Sequence, residues 1–194
     1  TSEGPDMDIV ERLVAEDETI KGIWCTPKYS NPTGITYSDD TVRRFASMKT
    51  AAADFRVFWD NAYVWHDLTE HPDYLLEVLN EAKKYGTEDR FFIFASTSKI
   101  TFPGAGISCI ASSSANVKRI LRELSVQTIG HDKINQLRHA RVFRTFDDIK
   151  EQMAVHLNLI RPKFKLVRRY FRTELSGIPG VSWTRPNGGY FITL

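Results

Sequence analysis

Three short clusters in this 194-residue chain carry side chains that could do chemistry together. Asn31 lies in Tyr29-Ser30-Asn31-Pro32-Thr33-Gly34, Asp60 and Tyr63 in Asp60-Asn61-Ala62-Tyr63, and Lys99 in Ser96-Thr97-Ser98-Lys99. Their chemistries are complementary. A lysine amine captures a carbonyl carbon and, once released, carries a proton. A carboxylate keeps a proton on a ring nitrogen, a phenol and an amide hydrogen-bond a phenolic oxygen, and serine hydroxyls hold a phosphate. Each cluster alone is a weak signal. Asn-Pro-Thr-Gly is usually only a turn, Asp60 alone reads as a helix cap, and Tyr63 alone as a core aromatic. It is their conjunction that points to a site.

Such residues need a scaffold that delivers them to one place. A helical periodicity runs over 6–16, and Ile20 to Thr26 reads as a buried strand. Ser38 caps a helix expected from Asp39 to about Ala53, and Phe55 to Trp59 is a strand ending at Asp60. A second round places a helix from Pro72-Asp73 to Tyr85-Gly86, an apolar strand from Phe91 to Ala95 and a further strand near Ile107 to Ala111. Short strands without alternation suggest a sheet covered on both faces, and ligands gather at the carboxyl ends of such strands. Asn31, Asp60, Tyr63, Ser96, Ser98 and Lys99 all follow strand ends. Beyond Ser114 helices are expected near 115–124, 132–144 and 147–175, the last kinked or split at Pro162. Val181 to Arg185 and Gly189 to Leu194 read as two short strands that could pair.

Composition narrows the class. The chain is 42% hydrophobic and 26% charged, which suits a folded globular protein and not a disordered one. Twenty-six Lys and Arg against 24 Asp and Glu leave a net charge of +2, so charge calls for neither nucleic acid nor an anionic membrane. Cys25 and Cys109 form no CxxC pair, no apolar run is long enough to span a bilayer, and the acidic N-terminus lacks a signal-like core, so a cytoplasmic protein is expected. The histidines lack metal-ligand spacing, and no metal site is expected. The chain has no initiator Met and stops just after an apolar run, so both ends read as those of a fragment or processed chain.

An enzyme that uses pyridoxal phosphate needs an amine, a carboxylate for the pyridine nitrogen, donors for the phenolic oxygen and donors for the phosphate, and the three clusters offer all four. With Pro186-Asn187-Gly188-Gly189-Tyr190-Phe191 they form four motifs, in order, that resemble fold-type I, class I aminotransferases, in particular a bacterial aspartate aminotransferase-like branch. The resemblance implies an α/β fold: part of the three-layer α/β/α large domain over 1–130, and the start of a smaller α+β C-terminal domain over 131–194. It also implies the cofactor pyridoxal 5'-phosphate, amino acid and 2-oxo acid substrates, and a homodimer. Carried over by motif, it assigns Lys99 to the Schiff base and proton shuttle, Asp60 to the pyridine nitrogen, Tyr63 with Asn31 to the phenolic oxygen, and Ser96 to the phosphate. Ser98 is either a second phosphate contact or a cap of the loop.

One departure stands out. Most relatives follow the lysine with Pro-Gly-x-Arg, whereas Pro103-Gly104-Ala105-Gly106 puts glycine where the phosphate-binding arginine belongs. Backbone donors, Ser98, or a basic residue from elsewhere or from another subunit would have to replace it. The family's glycine-containing cofactor loop, its stacking aromatic and its C-terminal carboxylate-binding arginine have no counterpart here, so feeble activity is expected of these residues alone. Trp65 and His66 read as packing residues, and the basic run Arg161 to Arg172 as a solvated helix face. Gln127 to Gly130 is, by family analogy only, a candidate to reach a neighbouring subunit's phosphate. Two rival functions share the resemblance: a lyase or decarboxylase on the same cofactor, and the effector domain of a transcription regulator.

Overall fold

The computed structural model describes residues 1–194. Its centre is a four-stranded sheet in the order β1 (Gly22–Cys25), β2 (Arg56–Asp60), β3 (Phe91–Ser96) and β4 (Ser108–Ser112). β1, β2 and β3 are parallel, and β4 returns antiparallel to β3. Parallel pairing brings the carboxyl ends of three strands to one edge. Cys25 pairs with Trp59, and Asp60 with Phe94, so the segments leaving β1, β2 and β3 start side by side.

Two helices, α2 (Asp39–Ser47) and α3 (Val78–Tyr85), pack with α1 (Met7–Glu16) on one face of this sheet. The core they enclose includes Val42, Phe45, Phe55, Val57, Trp59, Val78, Ala82 and Phe91, all almost fully buried. Burying one such aromatic or aliphatic side chain contributes about 1.5–3 kcal/mol. Ser38 caps α2 by accepting from Thr41 N at 3.2 Å, as the sequence predicts. The opposite face carries Trp24, Phe58, Phe92 and Phe94, stacked at centroid distances of 5.5 to 6.2 Å. Of the two layers expected to flank the sheet, these residues supply one, and Trp24 is left 62% exposed.

Several boundaries differ from expectation for identifiable reasons. α2 ends at Ser47, not near Ala53, because the chain turns extended at Met48 to bury Met48 and Ala52, and Ala51 N bonds Val14 O at 2.7 Å. Asp73 does not open α3. Its backbone N donates to Tyr29 Oη and its carboxylate accepts from Thr36 and Asn187, so the helix waits until Glu77, whose side chain caps Leu79 N and Asn80 N.

The later helices are α4 (Ser114–Gln127), α5 (Lys133–Val142) and α6 (Phe146–Tyr170), with a π-helical turn over Phe171–Leu175. Pro162 does not split α6. Proline in a helix interior costs about 3 kcal/mol, much of it through the unmatched carbonyl four residues earlier. Here Asn158 and Pro162 are both exposed, so water can take that carbonyl. The two short C-terminal strands do not form. Only Thr184 and Thr193 meet, through Thr184 N to Thr193 O at 2.9 Å and Thr193 N to Thr184 Oγ1 at 3.0 Å.

The segment around Gly188 docks onto the α/β layer instead. Asp67 and Gly188 bridge, Leu68 N bonds Asn187 O at 2.8 Å, and Gly189 N bonds His66 O at 2.8 Å. A Cβ on Gly188 would lie 2.2 Å from the buried Tyr29 ring and 2.5 Å from His66 O, so only glycine permits this approach. Tyr29 is itself fixed by donating to Asp67 at 2.6 Å, an acceptor shared with Lys28 Nζ at 3.0 Å.

Candidate functional site

The expected site residues lie at the carboxyl edge of the parallel strands. Asp60 is the last residue of β2, and the next amide, Asn61 N, bonds Phe94 O at 2.8 Å, tying the segment to β3. Tyr63 follows within the same turn and is only 5% exposed. Its phenol is pushed up from the ordinary tyrosine range by burial first and by the Asp60 carboxylate second, with the Asn31 side chain opposing both. The residues that bear on this hydroxyl, Asn31 and Asp60, precede it by 32 and 3 positions in the sequence.

Lys99 completes the group. Its Nζ lies 5.0 Å from the Tyr63 ring centroid, within cation–π range, and the side chain is exposed on its other sides. The loop that carries it is tightly braced: Thr97 N bonds Ile107 O at 2.8 Å, and Ile107 N bonds Thr97 Oγ1 at 2.8 Å. Ser96 and Ser98 turn their hydroxyls together at 2.7 Å, and Ser98 N donates to Ser96 Oγ at 3.1 Å. Ser96 thus caps the loop, while the hydroxyl pair keeps one hydrogen free for an outside acceptor.

The donor set suits pyridoxal phosphate on chemical grounds: an amine, a carboxylate, a buried phenol with an amide beside it, and a hydroxyl pair stand at one sheet edge. The phosphate end is the weaker part. A Cβ at Gly106 would meet Ser98 Oγ at 2.3 Å and the Ser98 backbone at 2.8 Å, so this loop excludes any side chain at the position where the family resemblance implies arginine. Gln127 to Gly130 lies on the surface, held by Thr128 Oγ1 donating to Gly130 O at 2.9 Å. Of the basic run, Arg161 is engaged, donating to Leu68 O at 2.9 Å, and the other Lys and Arg side chains are exposed.

Two residues to which the sequence assigned no chemical role belong to this neighbourhood. His66 is 3% exposed and packs edge-on to Tyr63 and Tyr190, as a packing residue should, but its Nε2 also lies 3.2 Å from the Lys99 carbonyl. A carbonyl only accepts, so Nε2 carries the proton and Nδ1 is left as a buried acceptor without a partner. Tyr190, from the Gly-Gly-Tyr-Phe motif, donates to the same carbonyl at 3.4 Å. The available signal for His66 was its three-residue spacing from Tyr63, which in a tight turn brings both side chains together.

Burial holds the His66 imidazole below its usual pKa; its contact with the Lys99 carbonyl opposes this, and the charge of Lys99 adds to it. As pH falls, the unfolded chain takes up this proton first, at about pH 6.5, while the folded protein resists. Stability present above that pH should therefore be lost as pH drops towards the lowered folded value, by at most about 1.4 kcal/mol per pH unit. Urea midpoints measured between about pH 7.5 and 5 should fall more steeply for the native protein than for His66→Phe. Parallel pH profiles for the two would contradict it.

The family profile described as Aspartate amino-transferase matches residues 1–194. An aspartate aminotransferase of Corynebacterium glutamicum is 42% identical over 192 residues, covering 99% of this chain and 44% of its own length. A Mycolicibacterium smegmatis protein provisionally named an aminotransferase is 50% identical, covering 99% of this chain and 45% of its own. The crystal structure of an aspartate transaminase from Corynebacterium glutamicum superposes with a TM-score of 0.94 at 41% identity, over 99% of this chain and 45% of that one. The chain thus spans a little under half the length of the relatives it matches. The fold, the order of the motifs and these likenesses agree: the chain belongs to the aspartate aminotransferase family.

Proposed function

We propose that the intact protein is a pyridoxal-phosphate-dependent transaminase that moves an amino group between an amino acid and a 2-oxo acid, with aspartate the first donor to test. The observation that carries this reading is the approach of the Lys99 amine to the buried Tyr63 ring at 5.0 Å, at the sheet edge where β2 ends in the Asp60 carboxylate. When bound, the cofactor supplies an electrophilic carbonyl carbon and a ring that accepts the electron pair left at the substrate α-carbon. Lys99 Nζ would be the amine that meets the cofactor's carbonyl carbon and, as a free amine, the base and then the acid for the substrate α-proton. Asp60 would hold a proton on the ring nitrogen, Tyr63 and Asn31 would hold the ring oxygen, and Ser96 with Ser98 would meet the phosphate.

Division into a cofactor-binding part over 1–130 and a smaller part over 131–194 belongs to the same reading. So does a homodimer, in which a partner's basic residue could supply the charge that Gly106 denies the phosphate. A cytoplasmic setting fits the two free thiols, of which buried Cys25 is pushed up to about 12 and so is unreactive. No helix is long and apolar enough to cross a membrane.

The test is to supply the intact protein with pyridoxal phosphate, nitrogen-labelled aspartate and 2-oxoglutarate, and to follow the label by mass spectrometry. Label in glutamate, with the aspartate carbon skeleton recovered whole as the keto acid, is expected. Loss of carbon dioxide or of the side chain would instead identify a decarboxylase or lyase on the same cofactor. Cofactor binding without turnover of any amino acid, joined to DNA binding, would identify a regulator.

A further inference from the structure

From α5, two polar side chains one helical turn apart reach back to the loop that carries Lys99. His139 is 8% exposed, and the mechanism above does not use it. Its Nδ1 lies 2.9 Å from Asn135 O, an acceptor only, so Nδ1 carries the proton and Nε2 is the acceptor. Of the two acceptors within reach of the Thr101 hydroxyl, Nε2 at 2.7 Å is nearer than Thr97 O at 3.2 Å, and Nε2 also faces the Thr97 hydroxyl at 3.3 Å. Those threonines stand two residues on either side of Lys99. Asn135 Nδ2 meanwhile donates to Ala105 O at 2.7 Å and reaches Gly106 O at 3.4 Å, at the far end of the same loop. Phe102, between these anchors, packs edge-on against the His139 ring at 5.1 Å.

We infer that His139 and Asn135 form a positioning clamp that sets the conformation of residues 97–106, and through it the direction of Lys99 Nζ and of the Ser96–Ser98 hydroxyl pair. The geometry has the mark of a specified arrangement rather than incidental packing. One imidazole tautomer satisfies its helix carbonyl and the Thr101 hydroxyl, while Thr97 Oγ1, 3.3 Å from Nε2, is the acceptor for Ile107 N at 2.8 Å. The clamp also explains how the loop keeps its shape with no side chain at Gly106: α5 takes its carbonyls from outside. The consequence for cofactor placement rests on the transaminase reading; the clamp itself does not.

The experiment compares the native intact protein with His139→Phe, His139→Gln and Thr101→Val. Phenylalanine keeps the ring packing and loses the acceptor, glutamine restores an acceptor near the Nε2 position, and Thr101→Val removes only the hydroxyl. Amide hydrogen exchange of residues 97–106 in the cofactor-free protein should accelerate at least tenfold in His139→Phe and in Thr101→Val, and recover most of the way in His139→Gln. Pyridoxal phosphate should bind the two accelerated variants at least tenfold more weakly, with a change in the visible spectrum of what remains bound. Unchanged exchange in Thr101→Val, which is isosteric and keeps the fold even where His139→Phe does not, would overturn the clamp. Accelerated exchange with unaltered cofactor affinity and spectrum would overturn its positioning role. A native protein that binds no pyridoxal phosphate would sink the transaminase reading and leave the exchange result to decide the clamp alone.

Discussion

Replacing Lys99 with alanine is expected to end covalent capture of pyridoxal phosphate and to cut amino-group transfer by at least about a hundred- to ten-thousandfold, the usual worth of one positioned proton-transfer group. Stability should hardly move. The side chain is exposed apart from its approach to the Tyr63 ring at 5.0 Å, and an exposed cation–π contact contributes only about 0.5–1 kcal/mol. Lys99→Arg sharpens the test, because it keeps the cation over the ring while removing the nucleophilic amine. Both variants should melt close to the native protein, and both should fail to hold the cofactor after gel filtration. If arginine restored turnover, Lys99 would be acting as a charge and not as a nucleophile, and the roles assigned to Asp60 and Tyr63 would fall with it.

The parts of this arrangement that the sequence made legible are those set by local rules. β2 could be read because an apolar run ends abruptly at Asp60, and α2 could be started correctly because Ser38 precedes two acids. Lys99 was legible only in combination with Asn31, Asp60 and Tyr63. What could not be read depends on partners remote in sequence. Asp73 looks like a helix opener until Tyr29, Thr36 and Asn187 claim its polar atoms. The hold on Lys99 is hidden for the same reason. His66 meets it through a backbone carbonyl 33 residues away, and His139 through two threonine hydroxyls about 40 away, and neither carbonyls nor threonines leave a motif. Pro162 misleads in the other direction, since its cost depends on whether water reaches the freed carbonyl, which is a property of the surface and not of the residue.

Gly106→Arg, which supplies the phosphate-binding residue that the family resemblance implies, should weaken the protein rather than improve it. In isolation the guanidinium looks favourable, since a hydrogen bond to a charged group contributes about 1.5–3 kcal/mol. The first atom of the new side chain decides otherwise. Its Cβ would sit 2.3 Å from Ser98 Oγ, which could rotate away, but also 2.8 Å from Ser98 N and Cα, which cannot. The loop has little room to yield, because Thr97, Ile107 and Asn135 pin its two sides at 2.7 to 2.8 Å. Forcing an atom into such a space costs about 1–3 kcal/mol, enough to offset the phosphate contact. Any relief must move Ser98, the residue next to Lys99, and a displacement of about 1 Å at a reacting group can cost a hundredfold in rate. Gly106→Ala separates the two effects, since it carries the same Cβ without the charge. Both variants should melt below the native protein by a similar amount, and both should turn over more slowly. An arginine variant of native stability that bound pyridoxal phosphate more tightly would show that the loop opens freely, and that glycine at this position is not dictated by the approach of Ser98.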